Sequence, residues 1–283
     1  MARINSRRIK VGGMVQLCID LKPRRTDCDV FINSPIDVTN TVEYIDKRKK
    51  NGEYITYFHA FLLALAKTIY NRPKLNRFVK NRHMYEHTNV SISFVAKVEF
   101  EDDSEEVMII IDVAPDDNID SIAKKIGDQI KELREKKFEK KGANGVLDTL
   151  GALPNIIRVP LIGLLKWMDE KGILPKSLQE DDIYFASAIV TDIGSLKSDS
   201  IHHNNTDFGT ASSITAIGEI RDELKVVDGK PKVYKACKFG INFDERVADG
   251  FYMIKAYKIL EYILENPKLL EGRADEVIEI PKK

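Results

Sequence analysis

The chain has 283 residues, enough for one large domain or two small ones, and its 44 Lys and Arg balance 44 Asp and Glu. That balance supplies no global basic field, so neither nucleic acid nor an anionic membrane is an expected partner. The three cysteines, Cys18, Cys28 and Cys237, are scattered and odd in number, which excludes a disulfide framework and points to a reduced cytoplasm.

The N-terminus carries basic residues but no following apolar run of the signal-peptide kind. No uninterrupted apolar stretch approaches the ~20 residues that a membrane span requires. Residues 13–21 form a mostly apolar run that suits a strand or a helix, and Pro23-Arg24-Arg25 breaks it. Residues 30–36 read as a strand leading into a helix over 41–50, with Thr39 or Asn40 as its N-cap. The clearest helix is 57–71, where Phe58, Phe61, Leu62, Leu65, Ala66 and Ile69 recur at helical spacing until Pro73 ends it. His59 lies on that helix beside apolar neighbours and reads as a satisfied, partly buried histidine, whereas His83 and His87 read as surface residues.

Residues 90–98 alternate with period two, as a half-buried strand does. An acidic loop over 101–106 leads to a nearly all-apolar strand at 107–113, expected to be buried on both faces. A charged amphipathic helix is predicted over 121–141, with Ile122, Ile126, Ile130 and Leu133 as its stripe. Residues 154–172 follow as apolar helical material, expected to be buried or to line a groove. Strands are predicted over 183–190, 214–218 and 232–242, with Asp228-Gly229-Lys230 as a hairpin turn between the last two. Residues 250–265 form the last helix. Strands and helices in non-alternating order, without an internal repeat, predict one α+β domain spanning 1–283.

The segment that carries chemistry is Asp244-Glu245-Arg246-Val247-Ala248-Asp249-Gly250. It resembles the active-site signature of the chloramphenicol acetyltransferase / 2-oxo acid dehydrogenase acyltransferase superfamily, His-x-x-x-Asp-Gly, often set in Asp-His-Arg-Val-x-Asp-Gly. Glu245 stands where the histidine would be. The resemblance extends to Phe61-Leu62-Leu63-Ala64-Leu65-Ala66 through Pro73-Lys74-Leu75-Asn76, to 31–39, to Thr191-Asp192-Ile193-Gly194-Ser195, and to Ala216-Ile217-Gly218. It covers most of the chain in order.

What this implies is a chloramphenicol acetyltransferase-like mixed β-sheet flanked by helices. Such domains form homotrimers with active sites at subunit interfaces, where coenzyme A and a small-molecule acyl acceptor meet. Glu245 takes the place of the general base. Thr191, from a neighbouring subunit, would donate to the oxyanion, with Ser195 as a fallback. Asp249 matches the aspartate that holds the loop through an arginine, and Arg24 or Arg25 is its expected partner. Arg246 and Gly250 complete the motif, and the glycine allows a tight turn into the last helix. No lipoyl attachment and no subunit-binding domain are expected, because the match begins within the first few dozen residues. No metal is expected either, because His202-His203 has no third ligand at typical spacing and reads as an exposed hairpin.

The replacement at 245 has consequences. A general base contributes about 10²–10⁴-fold and works best with a pKa near the working pH. Moving a proton from a thiol to an ordinary glutamate is uphill by about 4 units, roughly 6 kcal/mol, unless burial raises the carboxyl. Two functions therefore stand. One is a CoA-dependent acyltransferase acting on a small thiol, hydroxyl or amine, with Glu245 as base or orienter. The other is a catalytically inactive trimeric scaffold or ligand-binding protein in which Glu245 pairs with a lysine or arginine. Further readings stay open beside their plainer ones. A histidine of the 202–203 loop could supply the base. Lys136, Lys137, Lys140 and Lys141 could be a phosphate patch or a solvated helix face. Residues 156–168 could line an acyl tunnel, or belong to the core or to a trimer contact.

Overall fold

The structure is a computed structural model and describes residues 4–97, 106–135, 149–180 and 182–281. A six-stranded mixed sheet runs in the order β2 (Asp29–Asp37), β9 (Lys230–Asp244), β8 (Ser213–Val227), β7 (Ala188–Asp192), β5 (Val90–Lys97), β6 (Glu106–Val113). β7 is parallel to both of its neighbours, β5 and β8, and the other pairs are antiparallel. A small antiparallel sheet of β1 (Ser6–Arg8), β4 (His83–His87) and β3 (Arg77–Lys80) stands apart. The expected α+β architecture, a mixed sheet flanked by helices, is what the chain adopts.

The central helix, α3 (Tyr57–Asn71), begins with a reciprocal cap. Thr56 Oγ1 accepts the His59 backbone N–H, and His59 Nδ1 accepts the N–H of Thr56 at 3.2 Å. Leu62, Leu63 and Ile69 are almost fully buried, worth roughly 2 kcal/mol apiece. Phe61 meets Phe239 of β9 edge-on at 5.1 Å between ring centroids. Lys67, on the same helix, is also fully buried, and its ammonium is tied to the carbonyls of Gly272 and Arg273. That pair of bonds docks the C-terminal segment, and the helical pattern gave no hint of it.

α6 (Gly250–Glu265) packs on α3 and β2, and its bounds match the sequence reading. α1 (Gly13–Leu21) resolves the strand-or-helix alternative as helix, and α2 (Thr39–Lys50) and α4 (Ile119–Glu135) follow their predicted periodicities. The β8–β9 hairpin turns at Asp228 and Gly229, with φ of 51° and 75°, the paired positive values of a type I′ turn. Segment 198–201 crosses this hairpin so closely that a Cβ on Gly218 would sit 2.6 Å from Ser200 N, and one on Gly240 would sit 2.6 Å from Ile201 O.

Several expectations are corrected. The α2 cap is neither Thr39 nor Asn40, because Val38 holds that position and the Asp37 carboxylate accepts the Thr39 N–H at 3.0 Å. β6 is not buried on both faces. It is the edge strand of the sheet, so Met108 and Ile110 are half-buried and Asp112 is exposed. The strand expected from 183 begins only at Ala188, and Ile183–Phe185 forms a 3₁₀ turn capped by Asp182. α5 (Asn155–Lys171) is not buried, since most of its apolar side chains face solvent. The segment at 201–206 has no regular secondary structure and is not a hairpin. The acidic run at 101–105 and the lysines at 136–141 lie outside the described residues.

His87 is buried, not superficial. Its ring packs 4.7 Å from Phe78, and burial pushes its pKa down to about 4. Burial does the same to His59. Both folded values lie below the ordinary 6.5, so between about pH 6.5 and 4 the unfolded chain binds protons that the folded chain excludes. Stability is therefore full above that window and falls as the pH drops through it. Urea unfolding across this range is expected to show that fall. His87→Gln should be less sensitive to acid, by up to ~3 kcal/mol at pH 4. Identical slopes for variant and wild type would contradict the assignment.

Candidate active site

The signature turn joins the end of β9 to the start of α6. Asp244, the last residue of β9, is fully buried. Its carboxylate takes both forks of Arg246, from Nε at 2.8 Å and Nη2 at 2.7 Å. Arg25 Nε lies 3.6 Å from the same carboxylate. The two guanidiniums then reach outward. Arg246 Nη1 donates to Pro23 O at 2.8 Å, and Arg25 donates to the carbonyls of Thr206 at 2.8 Å and Gly209 at 3.1 Å. Two strands of connecting chain, around 22–25 and 206–209, are thus held against the turn.

A second buried pair supports this one. Lys80 Nζ donates to Asp169 at 2.5 Å and to the Asp207 carbonyl, while Asp169 accepts the Gly209 N–H at 3.0 Å. Burial lowers the Lys80 ammonium to about 8, against the opposing pull of Asp169.

These contacts correct the expected partner of Asp249. Arg25 pairs with Asp244, and Arg24 pairs with Asp207 at 3.3 Å. Asp249 is instead the N-cap of α6, its carboxylate accepting the Tyr252 N–H at 2.8 Å, and it is exposed. Gly250 opens the helix, and its φ is not in the left-handed region. The turn is held through the residue preceding Glu245, not through the aspartate four residues after it.

Glu245 projects from this rigid turn into a groove of about 600 Å³. Its backbone N–H is fixed to Cys28 O at 2.9 Å. Its carboxylate pairs with Lys22 Nζ at 2.7 Å, and both side chains are nearly half exposed. That bond raises the Lys22 pKa, so the amine stays charged. Met14, Val15 and Leu21 of α1 form the apolar wall, and Lys10, Lys22, Lys74 and Arg77 line the polar side. Arg77 Nε is buried without a hydrogen-bond partner. Cys28, beside the turn, is a poor nucleophile because burial pushes its thiol up to about 11. Sequence reasoning missed Lys22, Lys74 and Arg77, because nothing in their spacing ties them to position 245.

Thr191 does not line this groove. It is the penultimate residue of β7, opposite Ala216 of β8, and is half-buried. Ser195 lies on the exposed turn Gly194–Leu196 just beyond. His202 stacks on Phe31 at 4.0 Å, and its Nε2 bonds the Asn242 amide at 2.9 Å, which gives it a structural post on β2 and β9. Among the described residues no cluster of three His, Cys, Asp or Glu side chains could hold a metal ion.

With this geometry in place, comparison with solved structures is informative. A probable dihydrolipoamide acetyltransferase from Listeria monocytogenes superposes with a TM-score of 0.60 at 18% identity, over 92% of this chain and 94% of that one. The truncated catalytic core of the 2-oxoacid dehydrogenase multienzyme complex from Thermoplasma acidophilum gives 0.58 at 15% identity, over 92% and 99%. A chloramphenicol acetyltransferase gives 0.55 at 9% identity, over 92% and 99%. The fold is that of the chloramphenicol acetyltransferase / 2-oxo acid dehydrogenase acyltransferase superfamily. No protein-family model matches the sequence, and a comparison with curated proteins finds no match. At these identities the likeness extends to the fold.

Removing Asp244 leaves two buried guanidiniums uncompensated. Asp244→Ala is expected to cost about 3–5 kcal/mol in chemical unfolding. The exposed Asp249→Ala should cost about 1 kcal/mol, the value of a helix cap. The reverse order would show that Asp249 holds the turn.

Proposed function

We propose that the groove at Glu245 binds an acyl-coenzyme A and transfers its acyl group to a small thiol, hydroxyl or amine. The observation that carries this reading is the convergence of the signature-turn carboxylate with Lys10, Lys22, Lys74 and Arg77 on one groove. Four cations, one with an unpartnered buried donor, suit the phosphates of the coenzyme. The apolar wall from α1 suits the acyl portion and its pantetheine arm.

In this reading the acceptor attacks the thioester carbonyl as Glu245 takes or orients its proton. The carbon–sulfur bond then breaks, and the thiolate leaves with that proton. A preorganised hydroxyl at the developing oxyanion is worth a few kcal/mol. Thr191 is assigned that role from a neighbouring subunit, since it lies away from Glu245 within one chain. The functional unit is accordingly a homotrimer with sites between subunits. Lys22 pairs with the Glu245 carboxylate, and an arriving acceptor amine or thiol would displace it.

One observation favours a second reading. The Lys22–Glu245 ion pair is what a retired site would contain, with the carboxylate neutralised from within the chain. The protein would then be a trimeric scaffold or ligand-binding protein.

Release of free thiol from acetyl-CoA, measured with a panel of small acceptors, separates the two. Acyl transfer predicts acceptor-dependent release that falls at least ~10²-fold in Glu245→Gln, while Lys22→Ala keeps activity and lowers KM for the acceptor. Glu245→His should remain active if the surroundings are intact. No release by any variant, with no CoA binding by calorimetry, would establish the scaffold.

A further inference from the structure

A second cavity, of about 270 Å³, shares no lining residue with the Glu245 groove. Its walls come from a single chain. α5 supplies Ile162 and Leu165, the segment after that helix supplies Leu174 and Leu178, and the loop before β8 supplies Phe208. The cavity therefore does not depend on what covers the outer faces of the helices. An apolar cavity of about 150 Å³ already holds a benzene ring, so this one has room for a ring or a short alkyl body with a polar arm.

The wall around Tyr184 is stiffly built. Tyr184 O accepts the N–H groups of Thr210 at 2.7 Å and Ala211 at 2.9 Å. A Cβ on Gly209, where φ is 77°, would stand 2.2 Å from that same oxygen. The Tyr184 and Phe208 rings meet edge-on at 6.3 Å between centroids. Gln179, itself buried, donates to Leu174 O at 2.8 Å and ties down the segment that follows α5. The pocket is thus formed before any ligand arrives, as small-molecule sites generally are.

One group does not suit an apolar pocket. Asp182 lines it and is only 6% exposed. One oxygen of its carboxylate accepts the Tyr184 N–H at 2.9 Å and caps the 3₁₀ turn. Among the described residues the other oxygen has no hydrogen bond, and the carboxylate has no ion pair. An asparagine would cap the turn as well without burying a charge, and a buried charge with no partner is costly to keep. The lysines of this region are placed elsewhere. Lys80 is engaged by Asp169, and Lys166, which also lines the cavity, is exposed to solvent. Burial, with a smaller push from Asp169, raises the Asp182 carboxyl to about 6, so it is charged at neutral pH.

We infer that this cavity binds a small apolar amine, with the ammonium on the Asp182 carboxylate and the hydrocarbon body among Leu165, Leu174 and Phe208. The ammonium supplies the missing partner through a charge-assisted hydrogen bond, roughly twice as strong as a neutral one. Asp169 adds to the negative field at that point. The apolar walls favour an alkyl or aryl group over a hydrated inorganic cation. An anion is repelled by the same two carboxylates, and a neutral alcohol leaves the charge unpaired. The assignment stands apart from acyl transfer at Glu245 and holds for an active and for a retired groove alike.

Calorimetry with 2-phenylethylamine and hexylamine tests it. The protein used is the full-length Glu245→Gln variant at neutral pH, in which the groove offers no carboxylate at position 245. Both amines are expected to bind one site per chain, at least ~10-fold tighter than 2-phenylethanol and 3-phenylpropionate. Asp182→Asn, which keeps the cap, should lose that preference with an unchanged circular dichroism spectrum. Ile162→Trp, at a position 37% exposed, should weaken both amines by filling the mouth of the cavity. No binding of either amine would overturn the inference. So would equal binding of amine and alcohol, which would mean that Lys166 swings in to satisfy the carboxylate. Undiminished amine binding by Asp182→Asn would overturn it too, because the amine would then sit elsewhere.

Discussion

Everything at the candidate site depends on Asp244, a fully buried carboxylate shared by Arg246 and Arg25. Such a cluster gains little net stability over an apolar one of the same shape, but its parts cannot be removed singly. Its value here is positional. Two guanidiniums with several donors each can hold two separate connecting segments at fixed distances from one turn. The turn presents Glu245 at the head of a groove because the residues on either side of it are immobilised, while the glutamate itself is half exposed.

The packing around this cluster explains why an unusual residue could enter the signature without loss of the fold. The duties that hold the turn are carried by Asp244 and Arg246, and α6 is started by the Asp249 cap. Position 245 contributes only its backbone N–H, to Cys28 O, and its side chain is free for chemistry or for pairing. Lys22 takes that side chain because Arg246 holds the carbonyl of Lys22 itself at 3.3 Å, which brings the lysine stem to the groove. The same anchor that preserves the fold thus decides the neighbour of the one altered residue.

The outer faces of the molecule follow a different logic from its centre. The sheet and α3 bury their apolar side chains as their periodicity requires, whereas α5 and α1 leave theirs in solvent. Of the acids on these two helices, Asp169 is buried on Lys80, while Asp20 and Glu170 keep nearly half-exposed side chains beside Arg82 and Lys80.

Much was legible in the chain. Helical spacing and Pro73 marked α3, the Asp228-Gly229 pair marked the hairpin turn, and the signature located the junction of β9 and α6. These are local properties, set by side-chain period and by the φ values that Gly and Asp tolerate. Apart from the α2 cap and the late start of β7, which are local, the misreadings were non-local. His87 looked superficial because its burial depends on Phe78 of the neighbouring strand. The anchoring role of Lys67 had no sequence signal, because its acceptors lie about two hundred positions later, in the C-terminal turn. The edge position of β6 and the outward face of α5 were invisible, because an apolar run shows that a segment is hydrophobic but not what covers it. The sequence by itself determined most of the elements and where the Glu245 turn would stand in the chain. Only tertiary structure decided that Asp244, not Asp249, bears the arginines and that Lys22 meets Glu245, since ion-pair partners are chosen by distance in space, which sequence spacing does not encode.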